Sequence, residues 1–201
     1  IKEILSILHE ISHGLRFRVT LSNLVICIGM VVLAGLSIIP ALAPSSGMDW
    51  DGLSYHLAVP KIYLKNHAIV YVPYISHSNF PFLTEMLYTV GLAFNSQAIA
   101  KLFHYAMYLA TVCAIFALCK KYLSAIAGII ASFIYMATPL VAWEAGVAYA
   151  DLSTALYIIL ALYAIFNWES SGMSRWLIID GIACGFAFST KVLAAIPIIL
   201  L

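Results

Sequence analysis

From Leu21 to Ala43 the chain carries no charged residue, and about 20 consecutive apolar residues are what an α-helix needs to cross a bilayer. Such runs recur at Leu102–Leu118, Ala125–Trp143 and Ala150–Phe166, and Arg175 opens a fifth that continues through Lys191 and Pro197. The runs are continuous and do not alternate, which excludes an outer-membrane barrel. With 64% hydrophobic and 9% charged residues, against about 45–50% and about 25% in a soluble domain, the chain has too much apolar surface for a water-soluble core. Ten Lys+Arg against nine Asp+Glu leave no basic footprint for nucleic acid. The expectation is an all-α, polytopic membrane protein.

Residues 1–20 read as an interfacial helix, because Ile4, Leu5, Leu8, Ile11 and Leu15 recur at helical spacing. Span 1 is 21–43. Residues 44–98 form an external loop with juxtamembrane helices, among them Asn79–Phe94, too short and too acidic to cross. Residues 99–201 hold further spans, the last unfinished at Leu201, as expected of the N-terminal part of a longer protein. Arg16, Arg18, Lys120, Lys121 and Arg175 mark the cytoplasmic side. The N-terminus is then cytoplasmic, in an inner or plasma membrane, and Asp49, Asp51, Glu85, Glu144 and Asp151 fall at the external face. The four cysteines sit in apolar runs and read as small buried hydrophobes. Tyr71, Tyr74, Tyr88, Trp143 and Trp168 fit an interfacial aromatic belt. Gly29, Gly35, Gly128, Gly181 and Gly185 fit close helix packing.

The densest polar stretch is Met48-Asp-Trp-Asp-Gly-Leu-Ser-Tyr-His-Leu-Ala-Val-Pro-Lys-Ile-Tyr63. Asp51 and Tyr55 are spaced i, i+4 and share a face if this segment is helical. A carboxylate just outside a membrane helix can act as general base, hold a divalent metal, or cap a helix. Asp151 opens an otherwise apolar run, where an ionised acid costs about 2.5–3.5 kcal/mol in hydrocarbon. It must face protein or water, or cap the helix at the interface. His56 reads as a local hydrogen-bonder or a substrate contact.

Asp51-x-x-x-Tyr55 after the first span resembles the external Asp motif of GT-C glycosyltransferases that use polyprenyl- or dolichyl-phosphate sugars, such as the protein O-mannosyltransferases and aminoarabinose transferases. Asn79-Phe-Pro-Phe-Leu-Thr-Glu85 resembles that family's juxtamembrane Pro-Pro-Leu helix, Tyr149-Ala-Asp151-Leu its second external acid, and Ser189-Thr-Lys191 a Thr-Lys closing its fifth segment. Gly52 departs from the Asp-Glu of many members, and Phe80-Pro81 from the double Pro. The resemblance implies a GT-C-like helix bundle and inverting transfer of a sugar from a polyprenyl-phosphate donor to an external glycan, lipid or protein. Asp51 would take the acceptor's proton, and Asp151 would orient the acceptor or share a metal with Asp51. Lys61 and Lys191 would bind the phosphate, and Tyr55, His56, Tyr63 and Glu85 would contact substrate. Membrane lipid and a larger membrane complex are further implied partners.

Two other readings compete. The chain could be a non-catalytic GT-C-like subunit of an assembly. Alternatively, His9-Glu10-Ile-Ser-His13 is a literal HExxH, which on a helix offers two imidazoles to zinc and a Glu base, as in an intramembrane protease.

Overall fold

The structure, a computed structural model, describes residues 21–200, so the interfacial-helix expectation for 1–20 and the HExxH residues His9, Glu10 and His13 lie outside the described residues. Among those residues there are helices and turns but no strands.

Three helices are long and apolar enough to cross a membrane: α1 (Leu21–Leu42), α4 (Gln97–Tyr122) and α7 (Asp151–Ser171). At about 1.5 Å per residue each reaches the roughly 30 Å of a hydrocarbon core. Between α1 and α4 lie a π-helical turn (Gly52–His56), α2 (Ala58–Asn66), a 3₁₀ turn (Ser76–Asn79) and α3 (Leu83–Ala93). At 11 residues, α3 is only about 16 Å long and cannot span. The third apolar run is broken: α5 (Ala125–Ala137) stops before Pro139, and α6 (Pro139–Glu144) restarts with Pro at its first turn, where the missing N–H costs nothing. The fifth run is α8 (Arg175–Thr190), a 3₁₀ turn (Val192–Ala194) and α9 (Ala195–Leu200).

Local chemistry fixes the helix ends. Ser96 Oγ accepts from Ile99 N–H at 3.2 Å to start α4, and Ser124 Oγ accepts from Ala127 N–H at 3.1 Å to start α5. Gly172 stops α7 at φ 66°, a left-handed geometry that favours glycine. The end of α1 is capped from a distance: the buried Lys101 ammonium donates to the carbonyls of Pro40, at 2.6 Å, and Ala43. A cation there also meets the negative pole of the helix.

The helices bury a seam in which Ala41, Tyr105, Tyr108, Met136, Ala145 and Leu152 pack together. A second cluster joins Leu57, Tyr88, Leu92, Ala100 and Ala148 and carries the juxtamembrane layer on α4. Fully burying a side chain such as Leu57 is worth about 1.5–3 kcal/mol, and Leu57 is 0% exposed. Outward faces stay apolar, with Val25, Ile28 and Val31 on α1 and Ile178, Ile182 and Phe186 on α8 all exposed, as expected where lipid is the solvent.

Several expectations change. Tyr88 is fully buried, with its hydroxyl donating to the Tyr149 carbonyl, so it belongs to the core, whereas Tyr71 and Tyr74 are exposed. Gly128 meets Phe116 and Gly29 meets Phe133, but Gly35, Gly181 and Gly185 face open space. The tightest approaches are Gly91 on the Ala100 backbone and Gly146 on the Pro40 ring. None of the four cysteines is fully buried, and Cys113 is exposed.

Candidate active site

The helices break in four places, and the breaks converge. The π turn at Gly52–His56, the segment from His77 to Phe82, the loop ending at Ala150 and the extended Lys191 after α8 surround a cavity of about 480 Å³. Its lining includes Tyr55, His56, His77, Glu85, Thr190 and Lys191, with Phe80, Pro81 and Phe82 on one apolar wall. A mostly apolar hollow with a few converging polar groups is the usual form of a ligand site.

The π turn has a local cause. Asp49, 2% exposed, folds its carboxylate over the turn, and a Cβ on Gly52 would collide with Asp49 Oδ1. A side chain at 52 would therefore have to displace the buried Asp49 carboxylate. Leu53 N–H bonds to Asp49 O at 3.0 Å, and Leu57 N–H reaches back to Gly52 O at 2.8 Å to close the wide turn. The turn sends His56 inward and keeps Tyr55 at the rim. Such π bulges concentrate at functional sites. The Asp51 carboxylate lies beside the Tyr55 hydroxyl, close enough to act on its ionisation. Burial first, and then Asp51, hold the Tyr55 hydroxyl well above the usual tyrosine range, with Glu85 and Asp151 adding to the effect. Tyr55 thus lies within the field of three of the sequence-derived acids. The Tyr149 hydroxyl also lies raised, chiefly by burial, against the Asp51 backbone N–H.

Two ion pairs occur among the described residues, and both belong to the cavity. His56 Nδ1 donates to Glu85 Oε1 at 2.5 Å, with side chains only 7% and 2% exposed. Lys191 Nζ donates to Asp151 Oδ1 at 2.5 Å, with side chains 39% and 38% exposed. Asp151 is the first residue of α7; Ala150 is the N-cap, and no side chain caps the helix. The carboxylate is thus turned to Lys191 instead of to its own backbone. Lys191 can reach it because the chain leaves the helix there, at φ −151° and ψ 125°.

The start of α7 is anchored from α4. His104, 0% exposed, donates from Nδ1 to Val147 O at 2.9 Å and Glu144 O at 3.1 Å, and its Nε2 accepts from Leu152 N–H at 3.3 Å. One donor and one acceptor nitrogen define a neutral ring. The residue beside Asp151 is thereby fixed to a second helix.

Of the sequence-derived candidates, the structure brings together Asp51, Tyr55, His56, Glu85, Asp151 and Lys191. Lys61 is exposed and lines a different recess with Leu92, Asn95 and Gln97. Tyr63 is buried with Val59 and Val72, one layer behind the apolar wall. Sequence reasoning placed Asp49 at the external face without a role and gave none to His104 or His77, the last stacked on Tyr55 at 4.3 Å between ring centroids. The Met48-Asp-Trp-Asp-Gly string held the signal for Asp49, since a glycine next to two acids invites a close approach; nothing comparable marked His104. No group of three or more His, Cys, Asp or Glu among the described residues is placed to hold a metal. Asp151 faces an ammonium and not a second carboxylate, so the residues do not fit a shared Asp51–Asp151 metal.

A helical bundle of membrane-crossing length, with an acid- and lysine-lined cavity between juxtamembrane helices, defines a polytopic membrane protein with a site at the end of its bundle. The chain belongs to the dolichyl-phosphate-mannose-protein mannosyltransferase family, whose pattern it matches over residues 80–201. It is accordingly an integral membrane glycosyltransferase of the GT-C type. The matched segment contains Glu85, His104, Asp151 and Lys191. No curated protein and no solved structure matched the chain.

Proposed function

We propose that the cavity binds a polyprenyl-phosphate-linked sugar and transfers the sugar, with inversion at C1, to an acceptor at the external face. The observation that carries this reading is the Lys191–Asp151 pair opening on the same cavity as Tyr55 and the His56–Glu85 pair. An ammonium has three donors. One is held by Asp151, and the rest are free for the donor's phosphate. Asp51, at the Tyr55 rim, is the general base that takes the acceptor's proton, and Tyr55 orients it. Asp151 keeps Lys191 in place and, half-exposed, also meets the acceptor. The apolar wall of Phe80 to Phe82 accommodates the lipid side of the donor. Lys61, outside the cavity, serves the approach of anionic headgroups. The acceptor is a glycan, lipid or protein, and the N-terminus is cytoplasmic by the placement of Lys120, Lys121 and Arg175.

The test is transfer from a radiolabelled polyprenyl-phosphate sugar by the protein in proteoliposomes. Wild type transfers, and Asp51→Asn, which keeps the shape and removes the base, falls by about 10²–10⁴-fold with normal insertion. Full turnover by Asp51→Asn removes Asp51 from the mechanism, and inactivity of the wild type with every such donor removes the donor class.

A further inference from the structure

His56 and Glu85 are more than lining. A carboxylate and an imidazole 2.5 Å apart, both almost fully buried, make an expensive arrangement to place beside a cavity. The Glu85 Oε2 atom is buried without a hydrogen-bond partner among the described residues. Nδ1 of His56 is spent on Glu85, so the polar atom that His56 brings to the cavity is Nε2. The carboxylate fixes the ring's orientation, as carboxylate–imidazole pairs do in proton-transfer sites. The wide turn fixes the backbone on one side through Leu57 N–H to Gly52 O, and Glu85 is anchored in the first turn of α3 on the other.

Resting on the transfer reading above, the donor is a phosphodiester with one negative charge. When the C1–O bond breaks, its electron pair stays on the bridging oxygen, and the phosphate gains a second charge. The second pKa of a phosphomonoester is about 6, close to the roughly 6.5 of an imidazole. A lysine near 10.4 steadies that charge but holds its proton too tightly to give it up near neutrality. Proton donors work best when matched to the group they serve, so the imidazole fits this oxygen and the ammonium does not.

We propose that His56, held by Glu85, is the general acid of the reaction and protonates the departing phosphate oxygen from Nε2. In the balanced step, the acceptor hydroxyl gives its proton to Asp51 and its oxygen bonds to C1. The C1–O bond to phosphate breaks, and that oxygen receives the His56 proton. His56 is left neutral with its Nδ1–H on Glu85. Solvent later returns a proton to His56 and takes one from Asp51.

The test uses two donors that differ in one atom: the natural oxygen bridge between C1 and phosphorus, and a sulfur bridge whose leaving thiolate needs no protonation. With the oxygen donor, His56→Gln lowers kcat by about 10²–10⁴-fold while the donor KM stays within threefold. With the sulfur donor, the gap between wild type and His56→Gln collapses to less than tenfold. Glu85→Gln, which keeps the shape and the hydrogen bond, shows a smaller loss with the same rescue. An equal loss on both donors makes His56 a structural residue and overturns the proposal, as does full activity of His56→Gln on the oxygen donor. A wild type that transfers from neither donor defeats the transfer reading itself, and this proposal with it.

Discussion

The change of Asp151 to Asn separates two roles that the carboxylate could have, because the structure makes their magnitudes so different. As a contributor to stability the acid is weak. Its pair with Lys191 is more than a third exposed on both sides, and such pairs are worth about 0–1 kcal/mol. Its place in the first turn of α7 adds about 0.3–1 kcal/mol against the helix dipole. No capping bond is lost, because Asp151 makes none, and α7 and α8 still pack along their length. Asp151→Asn should therefore lower stability by less than about 2 kcal/mol, a melting shift of a few degrees. As the group that holds Lys191, it matters far more. A misplacement of about 1 Å at a reacting phosphate costs on the order of 10²-fold. The assay is transfer by Asp151→Asn, Lys191→Met and the double variant, beside thermal unfolding in detergent. Each single variant should lose about 10–100-fold, and the double should be little worse than Lys191→Met, since residues acting as a unit are not additive. Losses that multiply would place the two residues in separate roles. A silent Asp151→Asn would refute the positioning argument altogether.

Gly52→Ala should destabilise the π turn and abolish most transfer, because its Cβ would collide with the Asp49 carboxylate; adding Asp49→Ala should restore folding, measured by unfolding in detergent. His104→Ala should free the start of α7 and reduce transfer at least tenfold, and His104→Asn, which can replace the Nδ1 donor to Val147, should recover part of it. The Tyr55 hydroxyl is held above its usual range, so its protonated form persists as pH rises; Tyr55→Phe should leave the alkaline limb of the pH–rate profile unmoved and cost less than Asp51→Asn. Single cysteines at Ser76 and Met173, in a background lacking the four native cysteines, should label from opposite sides of the membrane with an impermeant reagent, and same-side labelling would overturn the proposed orientation.

What the sequence makes legible follows from what hydropathy measures. An uncharged run such as Leu21–Ala43 must be helical in lipid, because no other partner is available there for its backbone groups. Thus α1, α4 and α7 could be located to within a few residues. Breaks in a helix are another matter. Pro139 signals the restart at α6, but Ser189-Thr-Lys191 contains neither glycine nor proline, and nothing in its composition announces the extended backbone that turns Lys191 toward Asp151. The acid that Lys191 meets there lies 40 residues away along the chain. The candidate acids stand out for a related reason: an acid beside an apolar run must find water or a partner, which singles out Asp51 and Asp151 on polarity, whereas Lys191 is singled out by the family resemblance. Their pairing was not legible. Glu85 could be ranked as a substrate contact, but its bond to His56 spans 29 residues and two elements. Asp49 was placed only at the external face, and nothing marked His104, because what each does depends on backbone geometry. Asp49 shapes the turn that carries Tyr55 and His56, and His104 ties the loop before Asp151 to α4. The acids beside this cavity are thus ones that polarity picks out, while its geometry is set by breaks and buried anchors that a hydropathy pattern does not register.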